Sequence, residues 1–151
     1  MFIRKYQKTD SLELFKLFSD TIHSINSKDY PKDKLDVWID KDRDLSLWEK
    51  ALSNNYTLVI EENKNIVGFG STSEKGYLDM LFVHKDFQGK GIASLLCDKL
   101  ENIFSISKIT VHSSITAKPF FKKRGYKVIK KQIVERKGKL LINYVMEKYF
   151  Y

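Results

Sequence analysis

Val83-His84-Lys85-Asp86-Phe87-Gln88-Gly89-Lys90-Gly91-Ile92-Ala93 is the stretch that decides how this chain is read. Before it, Tyr77-Leu78-Asp79-Met80-Leu81-Phe82-Val83 has the composition of a strand. After it, Ile92, Leu95, Leu96, Lys99 (by its stem), Leu100, Ile103 and Phe104 trace one face of an amphipathic helix. The peptide N–H groups of residues 88–93 therefore converge at a helix N-terminus. Unpaired donors and the positive end of the helix dipole both favour a phosphate there. Gly89 and Gly91 permit a sharp turn and leave no Cβ between backbone and ligand, and Ala93 keeps the first helical turn uncrowded. Alone, a Gly-Lys-Gly turn is just a tight connection; a strand before it and a helix after it point to ligand binding. Two other phosphate loops are excluded by spacing. A P-loop needs Gly where His84 stands and Ser or Thr where Gly91 stands. Gly68-Phe69-Gly70 begins a dinucleotide fingerprint but has Ser73 in place of the third Gly, inside a strand.

Working outward, Phe2 to Tyr6 alternates as a short strand, and Thr9-Asp10 caps a helix carrying Leu12, Phe15, Phe18, Ile22 and Ile25 on one face. Ser27 to Asp33 is a loop around Tyr30-Pro31, followed by helical pieces at Leu35 to Ile39 and Leu45 to Leu52. Tyr56 to Glu61, Ile66 to Ser73 and Tyr77 to Val83 are strands separated by short turns, which makes consecutive antiparallel hairpins. Downstream, Lys108 to His112 reads as a strand, Thr116 to Arg124 as a short helix closed by Gly125, and the tail as a hairpin around Lys137-Gly138. The pattern is α/β: one mixed sheet with helices on its faces.

At 151 residues, 42% apolar and 30% charged, the chain fits one domain, 1–151, with a core of its own. One cysteine, Cys97, rules out an internal disulfide and a four-cysteine zinc site and suits a reducing cytoplasm; it reads as a small buried hydrophobe. His23, His84 and His112 have no metal-ligand spacing, so no metal is expected. No apolar h-region opens the chain and no run of about 18 apolar residues occurs, so neither a signal peptide nor a membrane span is expected. The net charge of +8 is uneven. Residues 1–104 are near balance, whereas 105–151 hold twelve basic side chains against Glu135 and Glu147. That third is either a solvated face or a phosphate-binding one; a nucleic-acid module is the lesser reading, since stacking motifs, a helix-turn-helix and a zinc finger are missing. Asp29, Asp33, Asp36, Asp40, Asp42 and Asp44 crowd the opposite charge upstream: a solvated acidic loop, or a wall for a cationic acceptor such as a polyamine.

Gln88-Gly89-Lys90-Gly91-Ile92-Ala93 resembles the Q/R-x-x-G-x-G/A pyrophosphate loop of the GNAT superfamily of N-acetyltransferases, with Ala93 the permitted alternative. Ser114-x-x-Ala117-x-x-Phe120-Phe121-x-x-x-Gly125-Tyr126 is similar to the family's later helix motif, and the order of elements agrees along the whole chain. Asp29-Tyr30-Pro31 with Trp38, Gly76-Tyr77-Leu78-Asp79 and Phe120-Phe121 resemble a bacterial subgroup of small-molecule acetyltransferases. The resemblance implies the GNAT acyl-CoA N-acyltransferase fold, a mostly antiparallel central sheet of about seven strands with helices on both faces. It also implies acetyl-CoA as cosubstrate, a small-molecule amine as acceptor, and the homodimer common among similar proteins.

Carried onto this chain, the cofactor would lie where Tyr77–Val83 and Lys108–Ser113 splay apart, against the main chain of Leu81, Phe82 and Val83. The amides of Gln88 to Ala93 would hold pyrophosphate. Ser114 stands where the family often has an Asn on the pantetheine, Ala117, Phe120 and Phe121 would complete that wall, and Lys122, Lys123 or Arg124 would meet the adenosine phosphate, Lys123 being the one named here. Asp79 is the first candidate general base, expected on one strand face with Tyr77, Leu81 and Val83, or else a structural acceptor, with Tyr77 and a water chain the other candidates for the base. Many members carry a Tyr where Phe121 stands, to protonate the CoA thiolate. Phe121 has no proton to give, so either Tyr126, Tyr144 or Ser114 replaces it, Tyr126 first, or the thiolate leaves unprotonated; a CoA-binding domain that has lost catalysis is the alternative this departure allows. Tyr30, Trp38 and Tyr77 are the candidate acceptor-binding residues, with core filling the other reading of Tyr30 and Trp38.

Overall fold

Alternation in the strands and 3.6-residue periodicity in the helices build two cores, one on each face of a single sheet. The computed structural model describes residues 1–151. The strands are β1 (Phe2–Lys5), β2 (Tyr56–Glu62), β3 (Asn65–Thr72), β4 (Tyr77–Val83), β5 (Lys108–Ser114), β6 (Lys127–Arg136) and β7 (Lys139–Tyr149). The helices are α1 (Ser11–Ser24), α2 (Lys32–Ile39), α3 (Leu45–Asn54), α4 (Ile92–Ile103) and α5 (Lys118–Lys123). The seven strands lie in the order β1-β2-β3-β4-β5-β7-β6, and every pairing is antiparallel except β4 with β5. This is the mixed sheet with helices on its faces that the sequence pattern predicts, and its seven mostly antiparallel strands agree with what the resemblance implies.

Neighbouring residues of one strand serve opposite cores. Leu58 and Ile60 of β2 join the core under α4 and α5, with Leu96, Leu100 and Phe121, while Val59 joins Leu14, Ile22, Trp48 and Phe69 under α1 to α3. Gly68 and Gly70 seat α4 on the sheet. A Cβ on either would stand 2.8 Å from a side-chain carbon of Ile92 or Leu100, which is why this pair of glycines sits in a strand and not in a nucleotide loop. On α1 the buried stripe runs through Ser11, Leu14, Leu17, Phe18, Thr21 and Ile22, and Leu12, expected on that face, is 68% exposed. Ser11 turns inward instead, because its carbonyl accepts from Trp48 Nε1 at 3.0 Å and its hydroxyl meets that of Tyr6 at 2.6 Å. Cys97 is fully buried in the α4 core, and burial pushes its thiol up to about 12. No helix is long and apolar enough to cross a membrane.

Candidate active site

The one parallel pairing in the sheet is also its shortest. β4 and β5 meet only at Tyr77 with Thr110 and Leu78 with Val111, and from there the strands part around a cleft of about 520 Å³. A β-bulge starts the parting: Ser71 of β3 pairs Met80 and Thr72 pairs Leu78, so Asp79 is the extra, unpaired residue. Beyond it the His84 N–H donates to Val67 O at 2.8 Å, which makes Gly68 and Val83 a widely spaced pair. By alternation, the N–H and C=O groups of Val83 and Leu81 then turn away from β3 and into the gap. The Val83 carbonyl accepts from Gln88 Nε2 at 2.7 Å and Thr21 Oγ1 at 3.2 Å. The bulge also corrects the expected side-chain pattern. Tyr77, Asp79, Leu81 and Val83 do not share a face: Leu78, Leu81 and Val83 pack on the α4 side, Met80 and Phe82 on the other.

At one end of the cleft the loop before α4 adopts the backbone its glycines permit. Gly89 and Gly91 have φ of +73° and +80°, and no atom of the chain lies within 4 Å of where a Cβ would stand. Gly91 caps α4 without a side-chain hydrogen bond, and the N–H groups of Gly89 to Ser94 find no acceptor within the protein. This open cradle of unpaired donors at a twelve-residue helix fits a pyrophosphate. The side chains around it play other parts. Gln88 braces the loop back onto Val83, Ile92 is buried in the core, Ala93 lines the cleft, and Lys90 lies 4.9 Å over the Phe87 ring.

Ser114, Ala117, Phe120 and Phe121 form the adjoining wall. Ser114 Oγ accepts from the Ala117 N–H at 3.0 Å, and Phe121 packs edge-on to Phe120 and Tyr126. Lys123 is exposed at the end of α5, away from the cleft lining. Tyr126 is a correction. It is 2% exposed, lies outside the cleft lining, and donates its hydroxyl hydrogen to Glu101 Oε2 at 2.7 Å. Burial and the Glu101 carboxylate both push the phenol pKa up, and Glu101 is itself held by Arg124. That network pins the end of α5 to α4, so Tyr126 has no path to a leaving group, and Arg124 is engaged there too. Tyr144 also lies outside the lining, with Lys118 4.1 Å over its ring.

The other end is lined by Asp79, Tyr77, His112, Tyr30, Trp38, Arg43 and Arg136. Asp79 opens on the cleft and accepts from Asn55 Nδ2 at 3.2 Å. The crowding of its carboxyl by the walls lifts its pKa, against the pull of Asn55 and His112. Burial and Asp79 likewise raise the pKa of Tyr77, whose ring meets His112 at 5.1 Å. Tyr30 both lines the cleft and holds it: its hydroxyl donates to Ile142 O at 2.6 Å and accepts from the Ile115 N–H at 2.8 Å. The ring of Trp38 stands 5.5 Å from it, edge-on.

The crowded aspartates do not make a wall for a cation, and Asp79 is the one acidic residue in the lining. Asp29 accepts from Thr116, Asp33 and Asp40 pair with Lys139 and Lys137, Asp36 with Lys32 and His23, and Asp44 caps α3 through Ser46. Arg43 and Arg136 carried no role in the sequence reading. Nothing local marks either: Arg43 lies between Asp42 and Asp44, and Arg136 sits at a hairpin turn among lysines.

A cleft between splayed parallel strands, with a helix N-terminus at one end and a carboxylate at the other, has the geometry that group transfer asks for. The family comparison agrees: residues 26–148 match the acetyltransferase (GNAT) domain, and the chain belongs to that family. It is 37% identical over 144 residues to the uncharacterized N-acetyltransferase YafP of Escherichia coli (strain K12), covering 95% of this chain and 93% of that protein. A GCN5-related N-acetyltransferase from Rhodopseudomonas palustris superposes with a TM-score of 0.95 at 29% identity, over 99% of this chain and 95% of that one. The PaiA N-acetyltransferase of Thermoplasma acidophilum, solved in complex with coenzyme A, shares the fold at a TM-score of 0.80 and 17% identity, covering 99% of this chain and 98% of that one.

Proposed function

We propose that the chain is an acetyl-CoA-dependent N-acetyltransferase that acylates the primary amine of a small molecule by direct attack in a ternary complex. The observation that carries this is the parting of β4 and β5, which opens one cleft lined at one end by Gln88 and Ala93, the two flanks of the loop with unpaired N–H groups before α4, and at the other by Asp79. Acetyl-CoA supplies a thioester: an N–C bond forms as the C–S bond breaks, one proton leaves nitrogen and one is needed at sulfur. The amides of Gly89 to Ala93 hold the pyrophosphate, the outward main chain of Leu81 and Val83 aligns the pantetheine arm, and an N–H there polarises the carbonyl. Asp79, its basicity raised by its surroundings, accepts the proton from nitrogen. Tyr77 and Trp38 flank the acceptor, and Tyr30 fixes that wall.

Phe121 leaves the sulfur without a tyrosine. Of the hydroxyls in the donor wall, Ser113 donates to Ser114 O and Thr116 to Asp29, whereas Ser114 uses only a lone pair and keeps its hydrogen free. Ser114 donates a hydrogen bond to the thiolate until solvent protonates it, a modest demand for a thiol of pKa about 8.5. Titration calorimetry with acetyl-CoA, with and without Gly91→Glu, tests the site. The carboxylate faces the phosphates and the left-handed backbone is strained, so affinity is expected to fall at least tenfold (about 1.4 kcal/mol). Unchanged affinity removes the loop from the site. Salt-sensitive duplex binding with no affinity for acetyl-CoA replaces the whole reading with the nucleic-acid one.

A further inference from the structure

The chain has four arginines, and the two outside the cleft are the two with carboxylate partners. Arg4 pairs with Asp10 and Glu61, and Arg124 with Asp98 and Glu101. Arg43 and Arg136 line the cleft, and neither forms an ion pair. Arg43 sits partly buried in an aromatic box, its guanidinium carbon 5.2 Å from the ring centre of Phe18, 5.6 Å from Trp48 and 5.8 Å from Phe15. One hydrogen bond, from Nη2 to Trp38 O at 3.0 Å, leaves its other N–H groups free. Asp40, the carboxylate nearby, is already bonded to Lys137 at 2.8 Å. Arg136 comes in from the other side, at the end of β6, bonded only to the carbonyl of Glu135 at 3.3 Å.

Two guanidinium groups facing one cavity repel one another, and an anion between them turns that cost into attraction. The phosphate end of the donor is not that anion. The loop before α4 belongs to the sheet face carrying Ile92, Leu96 and Leu100, whereas Arg43 stacks on Phe18 and Trp48 of the opposite core. Tyr77 and Asp79 line the same cleft as the two arginines, and Tyr77 feels the charge of both Asp79 and Arg136. The planar forks of two arginines suit a carboxylate, and the aromatic surface of Trp38 and Phe18 suits a carbon-rich body more than a heavily hydrated one.

We infer that the acceptor is an amine that also carries a carboxylate, a substrate of the amino-acid class, with its carboxylate between Arg43 and Arg136 and its nitrogen toward Asp79. This rests on the transfer reading above, and the test separates the two. The first arm measures thiol release from acetyl-CoA with L-amino acids, their carboxamides and the corresponding decarboxylated amines. The second arm needs no catalysis: with CoA present, N-acetyl-L-amino acids and their carboxamides are titrated by calorimetry. The acids are expected to exceed the amides by about tenfold or more in kcat/KM and in affinity, the scale of a charge-assisted contact. Arg136→Gln, an exposed position, should collapse that ratio toward one while leaving acetyl-CoA affinity unchanged, and Arg43→Lys should reduce it.

Acid-selective binding without any thiol release upholds the carboxylate site and overturns the transfer reading. Release onto amines or amides as fast as onto acids upholds transfer and overturns the carboxylate site. Equal binding of acid and amide, binding of neither, or an acid preference that survives Arg136→Gln overturns it as well.

Discussion

Asp79 owes its chemistry to one unpaired position in a strand. The bulge takes it out of the ladder and the cleft walls raise its pKa, so it is a stronger base than a free carboxylate, whose pKa is about 3.9. Asp79→Asn is expected to lower kcat about 10²-fold or more at neutral pH with acetyl-CoA affinity intact. Because the deprotonated form is the active one, wild-type kcat/KM should rise with pH through an inflection above the usual carboxylate range. That inflection should be missing in the variant; equal turnover or an unchanged profile removes Asp79 from the mechanism. At this scale the sequence was readable where chemistry is local. A carboxylate among Leu, Met and Phe stands out, and Gly89 and Gly91 mark positive φ. It was opaque where partners come from elsewhere. Arg43 between two aspartates looks neutralised, yet Asp44 caps a helix and Asp40 answers to Lys137. Tyr126 looks like a spare acid until Glu101, distant in sequence, accepts its hydroxyl hydrogen bond.

Among the elements, the contact of α4 with β3 fixes where the loop of Gly89 and Gly91 ends. Gly68 allows Ile92, the first residue of α4, to lie against the strand. Gly68→Ala puts a carbon 2.8 Å from the Ile92 side chain and should cost about 1–3 kcal/mol by overpacking. Denaturant unfolding reads that loss, and acetyl-CoA affinity should weaken with it, since the donor cradle is displaced. A variant as stable as the parent would show that α4 does not depend on this seat. Most elements were legible because their periods are clean and their turns short. The β4 bulge was not, because every residue from Met80 to Val83 is apolar and no polar neighbour reports which face each one takes. Leu12 was misplaced for a similar reason: apolar spacing alone does not show that Ser11 has two hydrogen-bond partners waiting inside.

For the molecule as a whole, Tyr30 ties three distant parts together: the chain before α2, the turn after β5 and strand β7. Tyr30→Phe deprives the Ile142 carbonyl and the Ile115 N–H of their partner, at an expected cost of about 1–3 kcal/mol. Thermal unfolding measures that cost, and KM for the acceptor should rise more than KM for acetyl-CoA. Equal shifts in both would mean that the tyrosine supports the fold alone. The neighbouring of β4 and β5 followed from the family resemblance and not from periodicity, which does not say which strands are neighbours; the full strand order was not foreseen.

The docking of the β6–β7 hairpin onto α2 and the residues after it has a consequence for adaptation. The donor half of the cleft belongs to the sheet and α4, and cannot be altered without disturbing a core. The acceptor half is assembled from two surface segments, joined by Lys137 with Asp40, Lys139 with Asp33, and the Tyr30 hydroxyl. Under the proposed transfer function, exchanging residues in those two segments changes which molecule is welcomed while the acetyl donor stays the same. One scaffold can thus be refitted to new acceptors a few side chains at a time.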